Sequence, residues 1–292
     1  MFLNEYLREK YGTKVYKLAF DIKATCPNRD GKVGFGGCCF CSEGGSGDFA
    51  VSLNENNVTK RIAEAKEKVS GKVENGKYIA YFQSHTNTYF TNDFTFERFK
   101  NLIEKVIINE EIVGISIGTR ADCLDDETIN YLKSINERKE VWVEIGLQTI
   151  HDETRERMNC CFKLTDFEKT YQKLNEAGIK TVVHMIVGLP GESEKDIIET
   201  AEYISSLDVF GLKIQLLHVL KNTKLADIYS DERFYVLSME EYTDLVVKII
   251  KMMPSKTVIH RMTGDGPADI LIAPMWSRDK KKVLNMINKK LR

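Results

Sequence analysis

Short apolar runs alternate along the chain with longer stretches whose apolar residues recur at helical spacing. The first six runs are VYKLAFDI (15–22), KYIAYFQ (77–83), IVGISIG (112–118), EVWVEIGL (140–147), KTVVHMIVGL (180–189) and GLKIQLLHVL (211–220). Charged stretches such as TFERFKNLIEKVI and DDETINYLKSINE separate them. Because buried parallel strands are apolar on both faces and need helical crossovers, this alternation predicts a parallel sheet covered by helices.

Six strand–helix units in series favour an α/β fold of the partial, TIM-like (β/α)6 barrel type, with a doubly wound sheet as the alternative. A seventh apolar run, KTVIHRM, and a last helical stretch follow. The predicted organisation is a barrel over residues 1–255 and a short C-terminal extension over residues 256–292, in which a strand and a helix pack on the barrel. Reactive groups of such barrels lie at the carboxyl ends of the strands.

Composition narrows the class of protein. The chain has 292 residues, 42% of them apolar, and a net charge of −1, which suits a large core and gives no global basic field. No run is long and apolar enough to span a membrane, and the first stretch, MFLNEYLREKYGTKVYK, does not have the apolar centre of a signal peptide. These features predict a cytoplasmic protein that does not bind membranes.

Four of the seven cysteines and seven of the nineteen glycines lie in one stretch, CPNRDGKVGFGGCCFCSEGGSGDFA, directly after the first predicted strand. Clustered thiols in a reducing compartment suit a soft metal centre. The candidate ligands are Cys26, Cys38 and Cys41, because Cys39 is adjacent to Cys38 and neighbouring side chains rarely reach one metal. Three thiolates favour an iron–sulfur cluster with one open iron, whereas structural zinc takes four ligands. Zinc and free thiols remain the alternatives.

The cysteine stretch resembles the cluster loop of the YhcC/YtqA-type radical SAM family, which is related to the radical SAM domain of the Elongator catalytic subunit and to MnmL-like tRNA-modifying enzymes. Further blocks resemble the family in the family's order: QSHTNTY (83–89), GTRADCL (118–124), VEIGLQTIHDET (143–154), HMIVGLPGE (184–192), LKIQLLHVLKNT (212–223) and HRMTGDGP with IAPMWS (260–277). The resemblance implies a partial barrel, a 4Fe–4S cluster held by Cys26, Cys38 and Cys41, and S-adenosylmethionine (SAM).

The resemblance also assigns residues near the strand ends to SAM. Phe40 is expected to pack near the adenine. Gln83, Ser84 and Thr86 end the second strand, where relatives bind the methionyl amine, although polar residues here replace the usual Gly-Gly-Glu.

The fourth and fifth strands carry three more candidate SAM contacts. Gln148 and His184 are expected to bond the ribose, and Glu144 lies beside them. For Glu144 the alternative is an ion pair with a lysine such as Lys213, because a carboxylate in an apolar interior is costly unless it is paired. For His184 the alternative is a core residue whose hydrogen bonds are satisfied within the protein.

Four polar residues are candidates for the substrate side of the site. The candidate catalytic residues are Arg120, Lys213, Gln215 and His218. Arg120 is expected to meet an anionic group of SAM or substrate, with an ion pair to Asp122 or Asp125 as the alternative. The other three lie along and just after the sixth strand and are predicted to line the substrate pocket.

One element departs from the family pattern. After GLQT, relatives carry an arginine in an N-R-x-H-like element that helps to hold the SAM carboxylate. This chain reads MNCCF, with Cys160, Cys161 and Phe162. Arg157, one turn earlier, is the candidate substitute; the alternatives are a different mode of SAM binding or altered activity. The two cysteines are either reactive thiols near the site or small buried residues.

The resemblance implies a radical SAM enzyme, in which an electron from a flavodoxin- or ferredoxin-type donor cleaves SAM to methionine and a 5′-deoxyadenosyl radical. It implies tRNA as substrate, at a wobble uridine whose carboxymethylaminomethyl group becomes aminomethyl. The basic stretch SRDKKKVLNMINKKLR is a candidate for phosphate contacts, with solvated surface as the alternative. Two other classes stay open: a radical SAM enzyme for a small metabolite or protein side chain, and a non-catalytic metal-stapled RNA-binding module.

Overall fold

A computed structural model describes residues 1–45, 47, 49–72, 76–232, 234–264 and 266–292. Two residues of the cysteine stretch, Ser46 and Asp48, and Asp265 of the HRMTGDGP block lie outside the described residues. The strands are β1 (Val15–Asp21), β2 (Val51–Ser52), β3 (Lys77–Phe82), β4 (Ile112–Thr119), β5 (Glu140–Gln148), β6 (Lys180–Val187), β7 (Gly211–Leu216), β8 (Val219–Leu220), β9 (Val258–Arg261) and β10 (Leu271–Ala273).

Five of the ten helices in the described residues begin at a side chain that caps the first turn. The helices are α1 (Leu3–Tyr11), α2 (Val58–Val69), α3 (Phe96–Ile107), α4 (Asp126–Asn136), α5 (Asp152–Arg157), α6 (Leu164–Glu176), α7 (Glu194–Ser206), α8 (Lys224–Glu232), α9 (Met239–Met252) and α10 (Lys280–Leu291). The hydroxyls of Ser193 and Ser238 accept backbone N–H groups at the starts of α7 and α9. Such caps satisfy N–H groups that the helix itself leaves unpaired.

Within the described residues, eight strands form one sheet in the order β2-β1-β3-β4-β5-β6-β7-β9, and all neighbouring pairs are parallel. The sheet curls into a half-barrel, which confirms the predicted partial TIM-like fold over the doubly wound alternative. All seven predicted apolar runs contain strands. The short strands β2 and β10 were not predicted, because two or three residues leave no recognisable apolar run.

The sixth apolar run splits into two strands. β7 continues the main sheet, and β8 turns away to pair antiparallel with β10. β9, the predicted strand of the C-terminal extension, is the edge strand beside β7, and α10 buries Val283 and Ile287 in the main core. The domain boundary at residue 255 stays a prediction.

Side-chain alternation along the strands separates the core from the barrel interior. On β5, Val143, Ile145 and Leu147 join the main apolar core, whereas Glu144 and Gln148 line the interior. Successive side chains of a strand point to opposite faces, so one strand serves both layers. Within the described part of the chain, every helix is too short or too polar to cross a bilayer.

Candidate active site

A cavity of about 1270 Å³ occupies the interior of the half-barrel. Thirteen of the predicted site residues line it: Cys26, Cys38, Phe40, Cys41, Gln83, Thr86, Arg120, Glu144, Gln148, His184, Lys213, Gln215 and His218. Ligand pockets of about 300–1,000 Å³ hold drug-sized molecules. This cavity therefore has room for SAM and for part of a second molecule.

Two predicted cofactor residues do not reach the cavity. Ser84 is buried and packs against Gly47, where an added Cβ would lie 1.9 Å from the Ser84 hydroxyl oxygen. Arg157 points to the turn after β6 and donates from Nη1 to the Pro190 carbonyl at 2.7 Å. The role of Arg157 as the substitute for the family arginine stays a prediction.

The cysteine loop brings three thiols to the cavity wall. The Cys41 amide donates to the Cys38 carbonyl at 3.0 Å, which closes the turn between the two ligand candidates. Gly36 and Gly37 precede it with φ values of +75° and +79°, a left-handed conformation that favours glycine. The loop therefore needs its glycines to turn back towards the barrel.

The spacing of the loop thiols argues against a single metal ion. Among the described residues, the one group of three metal-ligating side chains whose donor atoms all lie within 4.8 Å of one another is His151, Asp196 and Glu199. A tetrahedral zinc with Zn–S bonds of about 2.3 Å would hold its sulfurs about 3.8 Å apart. The thiols of Cys26, Cys38 and Cys41 do not meet that limit as a set, and thiolates are the ligands that an iron–sulfur cluster takes.

The thiol of Cys38 is poised as a thiolate. Hydrogen bonds from the thiols of Cys160 and Cys41, together with the nearby Arg120 guanidinium, outweigh burial and hold the pKa of Cys38 well below its ordinary value. The same contact with Cys38 raises the pKa of Cys41. Because the thiolate is the form that ligates metals, these opposite pKa shifts make Cys38 more readily ionised than Cys41.

A charge cluster lies deeper in the cavity, around the fully buried carboxylate of Glu144. This carboxylate accepts from Lys17 Nζ at 2.6 Å, from His184 Nε2 at 2.7 Å, from Ser116 Oγ at 2.5 Å and from Lys213 Nζ. The ion pair with Lys213, left open by the sequence, is thus present. A contact between Glu144 and SAM stays a prediction.

Burial and the repulsion between neighbouring positive charges lower the pKa values of Lys213 and His184 in this cluster. Burial lowers the pKa of Lys213 to about 7, although Glu144 opposes the shift. Burial and the neighbouring Lys213 lower the pKa of His184 to about 4. The opposing charges of Lys17 and Lys213 hold the pKa of Glu144 well below its ordinary value in spite of burial. At neutral pH, Glu144 is therefore ionised, His184 is neutral and Lys213 lies near its titration midpoint.

His184 and Gln215 form a short polar chain above Glu144. Gln215 Nε2 lies 3.3 Å from His184 Nδ1, while His184 Nε2 meets Glu144. His218 lies further along the chain, against the backbone of Gly264, where an added Cβ would be 3.0 Å from the imidazole ring. The structure thus brings Lys213 and Gln215 together with His184 and sets His218 at the adjoining wall.

Arg120 connects the cavity to the departing MNCCF element. It pairs with both carboxylate oxygens of Asp122, at 2.9 and 2.8 Å, and donates to the Cys160 carbonyl at 2.8 Å. Burial acts to lower the pKa of Arg120, but Asp122 outweighs it and raises the pKa. Phe162 lies between Arg120 and Arg155, 5.1 and 5.2 Å from the two guanidinium carbons. The ion pair with Asp122, the alternative from the sequence, is therefore present.

Gln148 fits the predicted contact with a ribose hydroxyl. Its Oε1 is buried and has no hydrogen-bond partner among the described residues, and its φ is +66°. An added Cβ on Gly146 would lie 2.7 Å from Gln148 Nε2, so the glycine leaves room for this side chain. Buried polar atoms are nearly always bonded, so this orphan acceptor, in a cavity of this size, is consistent with a bound hydroxyl donor.

Sequence reasoning missed several polar residues of the interior, among them Lys17, Tyr81, His260 and Arg261. Lys17 lies 4.9 Å from the Tyr81 ring, and the Tyr81 hydroxyl accepts from Lys213 at 3.0 Å. A single lysine within the apolar run VYKLAFDI was the signal for Lys17. Tyr81 and the two residues of β9 gave no such signal, because tyrosine is common in strands and β9 was assigned to an extension outside the barrel.

Comparison with known sequences identifies the family. The model of the radical SAM superfamily matches residues 26–204, and the Radical_SAM C-terminal domain matches residues 209–292. YtqA of Bacillus subtilis (strain 168) is 43% identical over 289 residues, which cover 99% of this chain and 88% of YtqA. Protein YhcC of Escherichia coli (strain K12) is 32% identical over 276 residues, which cover 94% of this chain and 86% of YhcC.

Among solved structures, the Elp3 protein of the archaeon Methanocaldococcus infernus superposes with a TM-score of 0.67 at 19% identity, covering 95% of this chain and 64% of that one. This likeness supports the fold. Enzymes of the matched family use a 4Fe–4S cluster and SAM and need an electron donor. The sequence matches, over nearly the whole chain, confirm the resemblance: the chain belongs to the radical SAM superfamily and, within it, to the YhcC/YtqA-type proteins.

Proposed function

We propose that this radical SAM enzyme modifies tRNA, converting a wobble uridine with a carboxymethylaminomethyl group into aminomethyluridine. The observation that carries the proposal is the charge of the cavity wall. Among the described lining residues the cations are Lys17, Arg29, Lys68, Lys72, Arg120, Lys213, Arg261 and Lys280, whereas Glu144 is the sole carboxylate. A chain of net charge −1 thus concentrates positive charge where an anionic substrate would bind.

The inner cations suit the carboxylate that the substrate carries. Lys17 and Lys213 share the single carboxylate of Glu144, so the buried group holds two amines and one anion, and a second anion nearby would favour the charged form of Lys213. A charged lysine in a low-dielectric interior is stabilised by every additional anion nearby. The carboxylate of a carboxymethyl group that enters the cavity would therefore give these lysines a second negative partner beside Glu144.

The outer cations suit the phosphates of RNA. Lys68 and Lys72 are exposed, at the carboxyl end of α2 and just beyond it, and Lys280 begins α10. Lys290, also in the basic C-terminal stretch, instead lies 2.7 Å from Asp244 and 3.2 Å from Glu240. The proposed phosphate contacts therefore belong to the cavity rim and exclude Lys290.

The residues of the chain have distinct roles in this proposal. Cys26, Cys38 and Cys41 would hold the cluster, which when bound supplies the electron that cleaves SAM. Gln148 would accept a hydrogen bond from the ribose, and Lys213 would hold the substrate carboxylate. Phe40, Thr86 and Gln83 would complete the SAM pocket.

The overall reaction balances with one SAM per uridine. A hydrogen atom leaves the carbon between the secondary amine and the carboxylate and becomes part of 5′-deoxyadenosine. Loss of one further electron, to an acceptor such as the oxidised form of the flavodoxin- or ferredoxin-type donor, and of a proton gives an imine, and water then cleaves it to aminomethyluridine and glyoxylate. Methionine is the other product of SAM. Lys213, with a pKa of about 7, is suited to holding or releasing a proton during the hydrolysis.

The proposal is tested with tRNA that carries the carboxymethylaminomethyl group, incubated anaerobically with reconstituted enzyme, SAM and a reductant. We expect aminomethyluridine, glyoxylate and 5′-deoxyadenosine in equal amounts. The Cys26→Ala, Cys38→Ala, Cys41→Ala triple variant is the control and should form none of them. An unchanged nucleoside profile alongside continued SAM cleavage would contradict this substrate and favour a small metabolite or a protein side chain.

A further inference from the structure

The chain between Cys26 and Cys38 folds into a small hairpin over residues 30–35, here called the loop hairpin. An antiparallel bridge between its first and last residues closes it. The ring of Phe35 lies on the backbone of Gly31, where an added Cβ would be 2.6 Å from the ring. The loop hairpin is therefore held by backbone pairing and by a glycine beneath the aromatic ring.

The loop hairpin presents apolar side chains to solvent. Phe35 is 73% exposed and Val33 is 46% exposed. Both residues lie outside the lining of the cavity, so they face away from the space that SAM and substrate would fill. Neighbouring apolar side chains that stay exposed beside a metal-binding loop are a candidate surface for contact with another protein.

Cations flank this apolar surface. Lys32 is exposed within the loop hairpin, and Lys224, exposed at the start of α8, donates from Nζ to the Phe35 carbonyl at 3.1 Å. Asp30, the carboxylate of the loop hairpin, accepts from the Lys32 amide at 3.1 Å. Two exposed lysines and one carboxylate give the surface a net positive charge, which complements an acidic partner.

The loop hairpin is bonded closely to the ligand candidates. The Arg29 amide, just before it, donates to the Cys26 carbonyl at 2.8 Å. Beyond it, the Gly37 amide, next to Cys38, donates to the Asn28 carbonyl at 2.7 Å. A protein that docks on the loop hairpin is thus connected through a few bonded residues to two ligands of the cluster.

We propose that the loop hairpin is the docking surface of the electron donor, an acidic carrier protein of the flavodoxin or ferredoxin type. Val33 and Phe35 form the apolar centre of the contact, and the two exposed lysines form its rim. The carrier loses one electron and the cluster gains it, and no bond forms or breaks in this step. The inference rests on the proposed cluster and is independent of tRNA.

The position of this surface suits the order of events. Enzymes of the matched family need an electron donor, and SAM and substrate would occupy the cavity when the electron arrives. A donor on the outer side of the loop leaves the cavity free. The rim cations proposed to meet RNA, Lys68, Lys72 and Lys280, line the cavity, whereas Lys32 and Lys224 do not. The two partners can therefore bind at the same time.

The size of the surface suits a brief encounter. Electron-transfer complexes commonly bury less than about 1,200 Å² in total. In such contacts a central aromatic side chain contributes much of the binding energy, while charges at the rim set the association rate and its dependence on salt. Phe35 and the two lysines should therefore produce separable effects.

The first test compares two reductants on the reconstituted full chain. A reduced flavodoxin of net negative charge has to dock, whereas dithionite is a small ion that does not need the loop hairpin. The variants are Phe35→Ser and the double variant Lys32→Glu, Lys224→Glu. Ile108→Ser is the matched control, because Ile108 is 74% exposed beyond the end of α3.

With limiting flavodoxin, we expect 5′-deoxyadenosine formation to fall about tenfold in both hairpin variants. With dithionite, the rate should equal that of the wild type. The double lysine variant should also lose the slowing by salt that the wild type shows with flavodoxin. Equal losses with both reductants would overturn the inference, because the loop hairpin would then act only on the structure of the cluster loop.

The second test is the affinity of the same flavodoxin for each full-length variant, measured by isothermal titration calorimetry, which requires no SAM cleavage. We expect about tenfold weaker binding by both hairpin variants and unchanged binding by Ile108→Ser. Equal affinities for all chains would overturn the inference. Weaker binding of tRNA with unchanged flavodoxin affinity would also overturn it and assign the surface to RNA. Docking that depends on the loop hairpin, in an enzyme that leaves tRNA unmodified, would contradict the proposed substrate alone.

Discussion

Two glutamates on β5, the half-buried Glu140 and the fully buried Glu144, are both paired with lysines, yet only Glu144 lines the cavity. Glu140 accepts from Tyr11 at 2.6 Å and lies 2.8 Å from Lys10, so it ties α1 to the amino end of the strand. Glu144, two full repeats further along the strand, organises the interior of the barrel. A glutamate paired with lysines thus stabilises the scaffold at position 140 and organises the candidate site at position 144.

The difference between these glutamates lies in what their partners can reach. The lysines around Glu140 keep water contact, with Lys10 and Lys180 side chains 38% and 36% exposed. The lysine closest to Glu144 is nearly enclosed, with Lys213 at 6% exposure. An ion pair between a glutamate and a lysine is therefore weak evidence of function by itself. Glu144 differs from Glu140 because it lines the cavity.

The largest expected effect is that of Glu144→Gln, which leaves Lys17 and Lys213 without their shared counterion. Breaking a buried pair in this way costs about 3–5 kcal/mol of the free energy of unfolding, measured by urea denaturation. Turnover of substrate should be lost as well. Glu140→Gln is the matched control: it should cost less, because its lysines can rehydrate, and SAM cleavage should continue. Equal losses in the two variants would contradict the distinction.

Lys213→Gln should separate substrate binding from SAM chemistry. If Lys213 holds the substrate carboxylate, loss of a charge-assisted hydrogen bond of about 2–3 kcal/mol lowers tRNA turnover by about 30- to 150-fold. Formation of 5′-deoxyadenosine without substrate should change much less. Lys180→Gln, at the Glu140 level, should alter neither rate. Equal losses of turnover in both lysine variants would show that Lys213 acts through stability alone.

The free energy of unfolding should decrease at low pH because of Glu140. Burial acts to raise the pKa of this carboxyl, but hydrogen bonds from Lys10, Lys180 and Tyr11 outweigh it and lower the pKa to about 2. Between the unfolded value of about 4.3 and pH 2, the unfolded chain binds the proton first, so stability present above this window is lost as the pH falls. Denaturation of Glu140→Gln at several pH values should show a shallower loss. An unchanged slope would contradict the assignment.

The smallest expected effect concerns SAM affinity. Gln148→Ala removes one acceptor, and a single hydrogen bond of about 1 kcal/mol corresponds to about fivefold weaker binding. Arg157→Ala should leave SAM affinity unchanged, because its guanidinium bonds the Pro190 carbonyl outside the cavity. Anaerobic equilibrium dialysis with the reconstituted variants measures both. A larger loss for Arg157→Ala would restore it as the substitute for the family arginine.

The sequence predicts the barrel well because each buried strand leaves its own local run of apolar residues. It predicts the cysteine loop for a similar reason, since thiols and glycines are concentrated in one stretch. The polar interior is harder to predict, because the inward face of a strand depends on how the sheet curls. Lys17 Nζ lies 3.5 Å from His260 Nδ1, although the two residues are near opposite ends of the chain. No local sequence pattern predicts that contact.

Side-chain direction explains the remaining misses. Ser84 follows a strand whose neighbours reach the cavity, but its own side chain packs against Gly47. Arg157 is close in sequence to the departing element, yet its helix aims it at the turn after β6. The sequence leaves Cys160 as either a reactive thiol or a buried small residue, and the structure buries it.

The central claim is that Cys26, Cys38 and Cys41 hold a cluster that cleaves SAM. The most direct measurement is anaerobic reconstitution with iron and sulfide, followed by dithionite and SAM, with 5′-deoxyadenosine quantified by chromatography. The account predicts 5′-deoxyadenosine from the wild type and none from the Cys26→Ala, Cys38→Ala, Cys41→Ala triple variant. A fully loaded wild-type cluster that forms no 5′-deoxyadenosine, with or without tRNA, would contradict it.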